Sequence, residues 1–154
     1  MRHVIAAALL AALALPASAQ QFTGRCVGGN AWTGGFGFAS FGNCDAPEED
    51  ALMTLTCRGG ATELAIFLPY AAGDGAPLGT TLFVGDADTF HVTGTAEFQG
   101  LSGEIVLVGA PVGFDLVEAL ASSRSGSIET QTGSTSFHLT DSRGAIETMR
   151  STCR

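Results

Sequence analysis

The sequence predicts an α+β domain that is rich in β-structure, with an antiparallel sheet, sandwiched or curled into a barrel, and two short helices. Glycine accounts for 21 of the 154 residues, which is about twice its usual share of ~7%. Threonine is frequent, and strong helix formers are scarce after residue 19. Short segments of alternating apolar and polar residues are separated by turns rich in Gly, Asp and Pro, a pattern that favours strands over helices.

The first 19 residues predict a secretory signal peptide. Met1-Arg2-His3 is a short basic start, and Val4 to Leu15 is an apolar run that is too short to span a bilayer. Pro16 ends this run, and Ala17-Ser18-Ala19 is a small-x-small cleavage site. We therefore expect residues 20–154 to form a single disulfide-tied domain that is periplasmic or secreted.

The charge of this predicted mature chain restricts its partners. Without Arg2 it has six arginines, no lysine and 15 carboxylates, a net charge of −9. Nucleic acid is a poor partner, because binding to phosphates needs clustered Lys and Arg. No later stretch approaches the ~20 apolar residues of a spanning helix. The partner we expect is an envelope or secreted protein, and the acidic charge suits a basic one.

Seven segments have the alternation of strands. They are Leu52–Cys57, Glu63–Leu68, Thr80–Val84, Thr89–Phe98, Glu104–Val108, Ser127–Gln131 and Ser134–Thr140. The segment before them, residues 20–43, is dominated by glycine and aromatic residues. Its partial alternation predicts an extended conformation that the glycines weaken as a strand.

Two helices are predicted between and after these strands. The first covers Asp115 to Ser123 and has one apolar face, and Asp115 with Glu118 resembles a capping box. The second begins at Asp141 or Ser142 and ends at Cys153. It has an apolar face and a face of charged side chains.

The four cysteines are expected to form two disulfides, for which three pairings exist. We favour Cys26–Cys44, which closes a glycine-rich segment, and Cys57–Cys153, which pins the second helix to the first good strand. Zinc binding is the alternative, but the chain has no Cys-x-x-Cys spacing.

Four residues are candidates for a binding surface: Trp32, Phe36, His91 and His138. Trp32 and Phe36 belong to an aromatic cluster that is either a surface or, as is commoner, part of the core. Strand alternation places His91 and His138 on the outer face of the sheet. If their strands are adjacent, the two imidazoles meet near Asp141 and form a metal site; otherwise they are solvated histidines.

Acidic turns offer a second candidate for metal binding. Asp86 and Asp88, helped by Asp74, are a candidate calcium site, but they lack the spacing of a calcium-binding loop. The chain has no nucleophile elbow and no phosphate loop. We therefore expect no cofactor, no bound metal and no catalytic residues.

The second half of the chain resembles a group of small exported bacterial proteins. The resemblance rests on Leu55-Thr56-Cys57, Thr62–Ile66, Leu116–Leu120, and the run from Phe137 to Met149 followed by Cys153. These patterns look like type VI secretion-associated periplasmic proteins and invasion-associated locus B proteins. The resemblance implies a non-catalytic exported accessory or binding protein.

An alternative function is inhibition of a basic secreted enzyme such as lysozyme. Cys57-Arg58-Gly59-Gly60 followed by a strand is similar to periplasmic lysozyme inhibitors. Those inhibitors carry Ser-Gly followed by Tyr in their inhibitory segment. Here Ser102-Gly103 is followed by Glu104-Ile105-Val106, without a Tyr.

Overall fold

A computed structural model describes residues 21–46, 50–100 and 103–153, and the predicted signal peptide lies outside these ranges. The described residues form ten strands and two helices. In chain order they are β1 (Phe22–Thr23), β2 (Asn30–Gly35), β3 (Phe38–Asn43), β4 (Ala51–Arg58), β5 (Ala61–Ile66), β6 (Pro77–Val84), β7 (Asp88–Gln99), β8 (Glu104–Val112), α1 (Phe114–Ser122), β9 (Ser125–Thr130), β10 (Gly133–His138) and α2 (Ser142–Thr152).

All ten strands belong to one curled antiparallel sheet, a half-barrel, which confirms the predicted fold class. The strand order is β1-β2-β3-β4-β5-β8-β7-β6-β9-β10. Strands that are consecutive in sequence are neighbours in the sheet, with two exceptions. β5 pairs with β8 instead of β6, and β9 pairs with β6 instead of β8. The two ends of the order, β1 and β10, are the edges of the sheet.

The glycine-rich aromatic segment is a regular hairpin rather than a weakened extended segment. β2 and β3 pair along their whole length, with Trp32 opposite Phe41. Gly37 makes the turn possible, because its φ of 74° lies in the left-handed region that glycine adopts without strain. The alternation of aromatic residues in this hairpin places Trp32 and Phe41 in the core.

The core lies on the concave face of the sheet. Alternate residues of β4, β5 and β6 point inward, whereas β2 and β3 are buried along most of their length. The fully buried side chains include Met53, Leu55, Leu64, Ile66, Leu82, Leu107 and Ile128. Both helices contribute to the same core through Leu116, Leu120, Ile146 and Met149. The curl of the sheet thus encloses one hydrophobic cluster.

Helix α2 packs directly on β2. Gly34 makes this close approach possible, because an added Cβ would lie 2.5 Å from the backbone oxygen of Ala145. Thr152, in the last turn, accepts a hydrogen bond from the amide of Gly37 at 2.9 Å. The helix therefore holds both β2 and the turn that follows it.

Helix α1 begins one residue earlier than predicted, and the expected capping box does not form. Its N-cap is Gly113, which makes no side-chain cap bond. The carboxylate of Glu118 instead pairs with Arg150 of α2. A contact between the two helices has replaced a contact within the first.

The predicted disulfides are both present. Cys26 is bonded to Cys44, and Cys57 is bonded to Cys153. The first closes the segment before β2 onto the end of β3, and the second fixes the residue after α2 to β4. Their sequence separations are 18 and 96 residues.

We predict that the long-range disulfide contributes more to stability than the short one. Chain-entropy arguments give about 3 kcal/mol for the short loop and between about 4 and 5 kcal/mol for the long one. The double variant Cys57→Ala/Cys153→Ala should therefore melt at a lower temperature than Cys26→Ala/Cys44→Ala. Equal melting temperatures, or the reverse order, would contradict this ranking.

The approach of α2 to β2 makes a second prediction. Gly34→Ala should destabilise the fold by roughly 1 to 3 kcal/mol, because the new methyl group overlaps the backbone of Ala145. Gly73→Ala is the matched control, since an added Cβ there has no atom within 4 Å. Urea unfolding measures both, and a Gly34→Ala variant as stable as the control would refute the close contact.

Candidate binding surface around the second disulfide

The Cys57–Cys153 disulfide lies between two surface clefts, and Cys57 lines both of them. Each cleft has one strongly exposed phenylalanine and one arginine among its lining residues. We call this surface the disulfide face and define it by Phe36, Arg58, Phe114, Arg150 and the disulfide itself. It is built from the β2–β3 turn, the end of β4, and the facing ends of α1 and α2.

The first cleft has a volume of about 440 Å³ and lies under the β2–β3 turn. Phe36, at the tip of this turn, is 64% exposed. The amide of the neighbouring Gly37 donates a hydrogen bond to the Thr152 hydroxyl, which ties the turn that carries this ring to α2. Arg58, at the end of β4, also lines this cleft.

The second cleft has a volume of about 330 Å³ and lies between β5, β8 and the two helices. Phe114, the first residue of α1, is 71% exposed. The guanidinium of Arg150 lies over its ring, 5.1 Å from the centroid, and also pairs with Glu118. Arg150, which is itself paired with Glu118, therefore covers one face of the Phe114 ring.

Charge on the disulfide face differs from the acidic average of the chain. Arg150 is neutralised by Glu118, but Arg58 has no ion pair among the residues that the structure describes. The face therefore offers two apolar rings and one unpaired cation. This combination suits an apolar side chain accompanied by a carboxylate.

Trp32, a sequence-predicted surface candidate, is instead a core residue, because its side chain is 0% exposed. Its indole Nε1 donates a hydrogen bond to the carbonyl of His138 at 3.1 Å. Its ring packs against Phe41, with centroids 5.6 Å apart. Trp32 thus links β2 to β10 across the opening of the curled sheet.

His138 lies on the face of β10 opposite the buried Phe137, but it is half-buried rather than solvated. Its ring packs edge-on against Phe41, 4.9 Å between centroids. Nε2 lies 3.1 Å from the carbonyl oxygen of Val27 and 3.2 Å from that of Asn30, so Nε2 carries a proton and donates to them. Nδ1 is buried and has no hydrogen-bond partner within the described ranges.

His91 lies on the outer face, as alternation predicts, and it does not meet His138. Its strand, β7, is separated from β10 by β6 and β9. The imidazole Nδ1 lies 2.9 Å from the Thr81 hydroxyl, beside an open cleft of about 310 Å³ that Glu129 also lines. The condition for a shared metal site, that the strands of the two histidines are adjacent, is therefore not met.

The candidate calcium ligands are not brought together either. Asp86 and Asp88 are exposed in the β6–β7 turn, while the carboxylate of Asp74 accepts a hydrogen bond from the Phe98 amide at 2.9 Å. Within residues 21–46, 50–100 and 103–153, no group of three metal-ligating side chains is found.

Three ionisable groups among the described residues are perturbed by their surroundings, and the side-chain hydrogen bond to Asp141 raises the pKa of Arg25. Hydrogen bonds from the side chain and then the backbone of Arg25 lower the pKa of Asp141 below its ordinary 3.8. The guanidinium and carboxylate approach to 3.0 Å. Burial raises the pKa of the Tyr70 hydroxyl.

No family model matches this chain, and no curated protein or solved structure matches it.

Within the described parts of the chain, neither helix has the length and hydrophobicity needed to cross a membrane.

The Arg25–Asp141 pair predicts a pH dependence of stability. Folding lowers the pKa of Asp141, so the ionised carboxylate stabilises the fold fully above about pH 4. This stabilisation is lost as the pH falls through the lowered pKa of the folded state. Asp141→Asn should therefore reduce the melting temperature slightly at neutral pH and have no effect in strong acid. The effect is small because the pair is solvent-accessible.

Thermal melts of the wild type and the variant across the acid range measure this difference. Glu147→Gln removes an exposed carboxylate from the same helix region and serves as the control. A difference for Asp141→Asn that grows as the pH falls would contradict the assigned sign.

Proposed function

We propose that this chain is an exported, non-catalytic accessory protein that binds an envelope or secreted protein through the disulfide face. The observation that carries this proposal is the pair of exposed phenylalanines, Phe36 and Phe114, beside clefts that share Cys57. The two disulfides are compatible with an oxidising compartment. Within such compartments we assign the protein to the periplasm or the exterior.

The aromatic side chains are suited to binding because they are exposed but held in place. The Phe36 turn is bonded to Thr152, and the Phe114 ring is covered on one side by Arg150. A ring that is already oriented loses little conformational freedom when a partner covers it. Aromatic anchors of this kind commonly dominate the binding energy of protein interfaces.

The arginines indicate which chemistry the partner presents at this face. Arg58 lies at the rim of the first cleft and has no ion pair within the described ranges. A carboxylate on the partner would complete a charge-assisted hydrogen bond there. We therefore propose that the partner presents a segment with apolar side chains and an adjacent Asp or Glu. The basic partner expected from the net charge of the chain is thus not what this face selects.

The contacts of the two histidines support a non-catalytic role. His91 contacts a threonine hydroxyl, and His138 donates to two backbone carbonyls. A nucleophile activated by a base needs a hydrogen bond between the two and a third group that orients the base. Among the described residues neither imidazole has this arrangement.

Inhibition of lysozyme stays a prediction. The turn that carries Ser102-Gly103 is only partly within the described ranges, since residues 101 and 102 lie outside them. No contact among the described residues favours this alternative over the disulfide face.

The proposal predicts that binding depends on both phenylalanines. The purified mature protein is cross-linked within an envelope fraction, the captured protein is identified and purified, and its affinity is measured directly. Phe36→Ala and Phe114→Ala should each weaken binding by about tenfold or more. Arg58→Glu should weaken it further, because it replaces the cation with a repelling charge.

Phe98→Ala is the matched control, since Phe98 is 51% exposed on β7 and lies outside the disulfide face. It should leave the affinity unchanged. The proposal fails if no captured protein depends on Phe36 and Phe114, or if Phe98→Ala weakens binding as much as they do.

A further inference from the structure

Strand β10 is an edge strand without the features that usually protect an edge. Its sequence, Gly-Ser-Thr-Ser-Phe-His over Gly133–His138, contains no Lys, Glu, Asp or Pro, and its pairing with β9 has no bulge. Natural edges are commonly blocked by charges, prolines or bulges, because free backbone groups invite another strand. The other edge, β1, is only two residues long.

The hydrogen-bond phase of β10 shows which of its backbone groups face outward. The amide of Leu139 donates to the carbonyl of Arg124, so odd-numbered residues of β10 bond to β9. Even-numbered residues therefore direct their amide and carbonyl groups to the free edge. His138 confirms this phase, because its carbonyl accepts the Trp32 indole hydrogen from the opposite side.

Ser134 and Ser136 are the even-numbered residues that remain. Both are exposed, and no strand pairs with their outer edge within the described parts of the chain. The site thus presents two amides and two carbonyls in the spacing of an antiparallel ladder. An extended peptide can use all four without displacing any bond of the fold.

The charge next to this edge selects among extended peptides. Glu129 is paired directly with Ser134 and lies on the same outer face, where it lines the cleft beside His91. A side chain of an added strand opposite Ser134 would start roughly 10 Å from Glu129, two strand spacings away. A lysine or arginine spans this distance, whereas an acidic side chain would be repelled.

The overall charge disfavours a second copy as the occupant. The chain carries 15 carboxylates and seven basic residues, so two copies repel each other at long range. A basic segment of another protein is attracted both by this field and by Glu129. Charge complementarity therefore favours a different partner over self-pairing.

We infer that β10 is a docking edge that adds an extended segment of a basic partner protein as a further strand and selects Lys or Arg opposite Ser134. This is recognition by β-strand addition, in which backbone hydrogen bonds give affinity and alternate side chains give specificity. It uses residues outside the disulfide face and does not depend on the function proposed for that face.

The test uses an array of hexapeptides in which Val and Thr alternate with Lys, Gln or Glu. The purified mature protein should bind the Lys peptides in preference to the Gln peptides, and the Glu peptides least. Ser136→Pro removes one outward amide but no bond to β9, and should weaken binding by about tenfold or more. Ser136→Ala keeps the amide and should bind as the wild type does.

Three further measurements test the inference even if Ser136→Pro is misfolded. Lys peptides that are N-methylated at alternate amides should lose binding to the wild-type protein, because they cannot form the ladder. Glu129→Gln should reduce the preference for Lys over Gln peptides by several-fold. Amide hydrogen exchange at Ser134 and Ser136 should slow in the complex.

Four outcomes would overturn the inference. They are absence of binding across the Lys peptides, unchanged binding of the N-methylated peptides, equal binding of Glu and Lys peptides, and self-association of the protein that Ser136→Pro abolishes. The last outcome would assign the edge to a second copy instead.

Discussion

The close contact of α2 with β2 at Gly34 is the constraint on which the rest of the structure depends. A side chain at this position would push the helix from the sheet, because Ala145 already occupies the space of a Cβ. From this contact the helix runs to Thr152 and Cys153, which hold the β2–β3 turn and β4. The distance of α2 from the sheet therefore determines the geometry of the disulfide face.

The opening of the curled sheet is closed by side chains at one end. Trp32 donates to the carbonyl of His138, and the His138 ring contacts Phe41 and donates to Val27 and Asn30. These bonds satisfy polar groups at the point where β2 approaches β10 without a backbone ladder. They also explain why only the first part of β10 is left as a free edge.

Much of the fold was predictable from the sequence because the strands are amphipathic. Alternation located β4 to β10, and the periodicity of apolar residues located both helices to within about two residues. The β2–β3 hairpin was missed as regular structure because its glycines lower strand propensity. Tertiary packing overrides that propensity, since Gly34 is required by α2 rather than by the strand.

The candidate sites were less predictable, because they depend on which strands become neighbours. Pairing of β6 with β9 places two strands between His91 and His138, and local alternation carries no information about that crossover. Phe114 and Arg58 were missed for a related reason. Each lies at the end of an element, where the exposure of the side chain depends on the packing of α1 against α2 and on the disulfide. The sequence did signal these element ends, because Phe114 lies beside Gly113 and Arg58 beside Gly59.

The two surfaces differ in what they require of a partner. The disulfide face has preformed clefts and oriented rings, so apolar burial can supply most of its affinity. The β10 edge offers only Ser134 and Ser136 for backbone pairing, because the carbonyl of His138 is already bound by Trp32. Each hydrogen bond of this short ladder replaces one to water and contributes about 0.5 to 1.5 kcal/mol net, whatever the sequence of the added strand. Side-chain contacts such as the one to Glu129 must therefore decide which segment binds there.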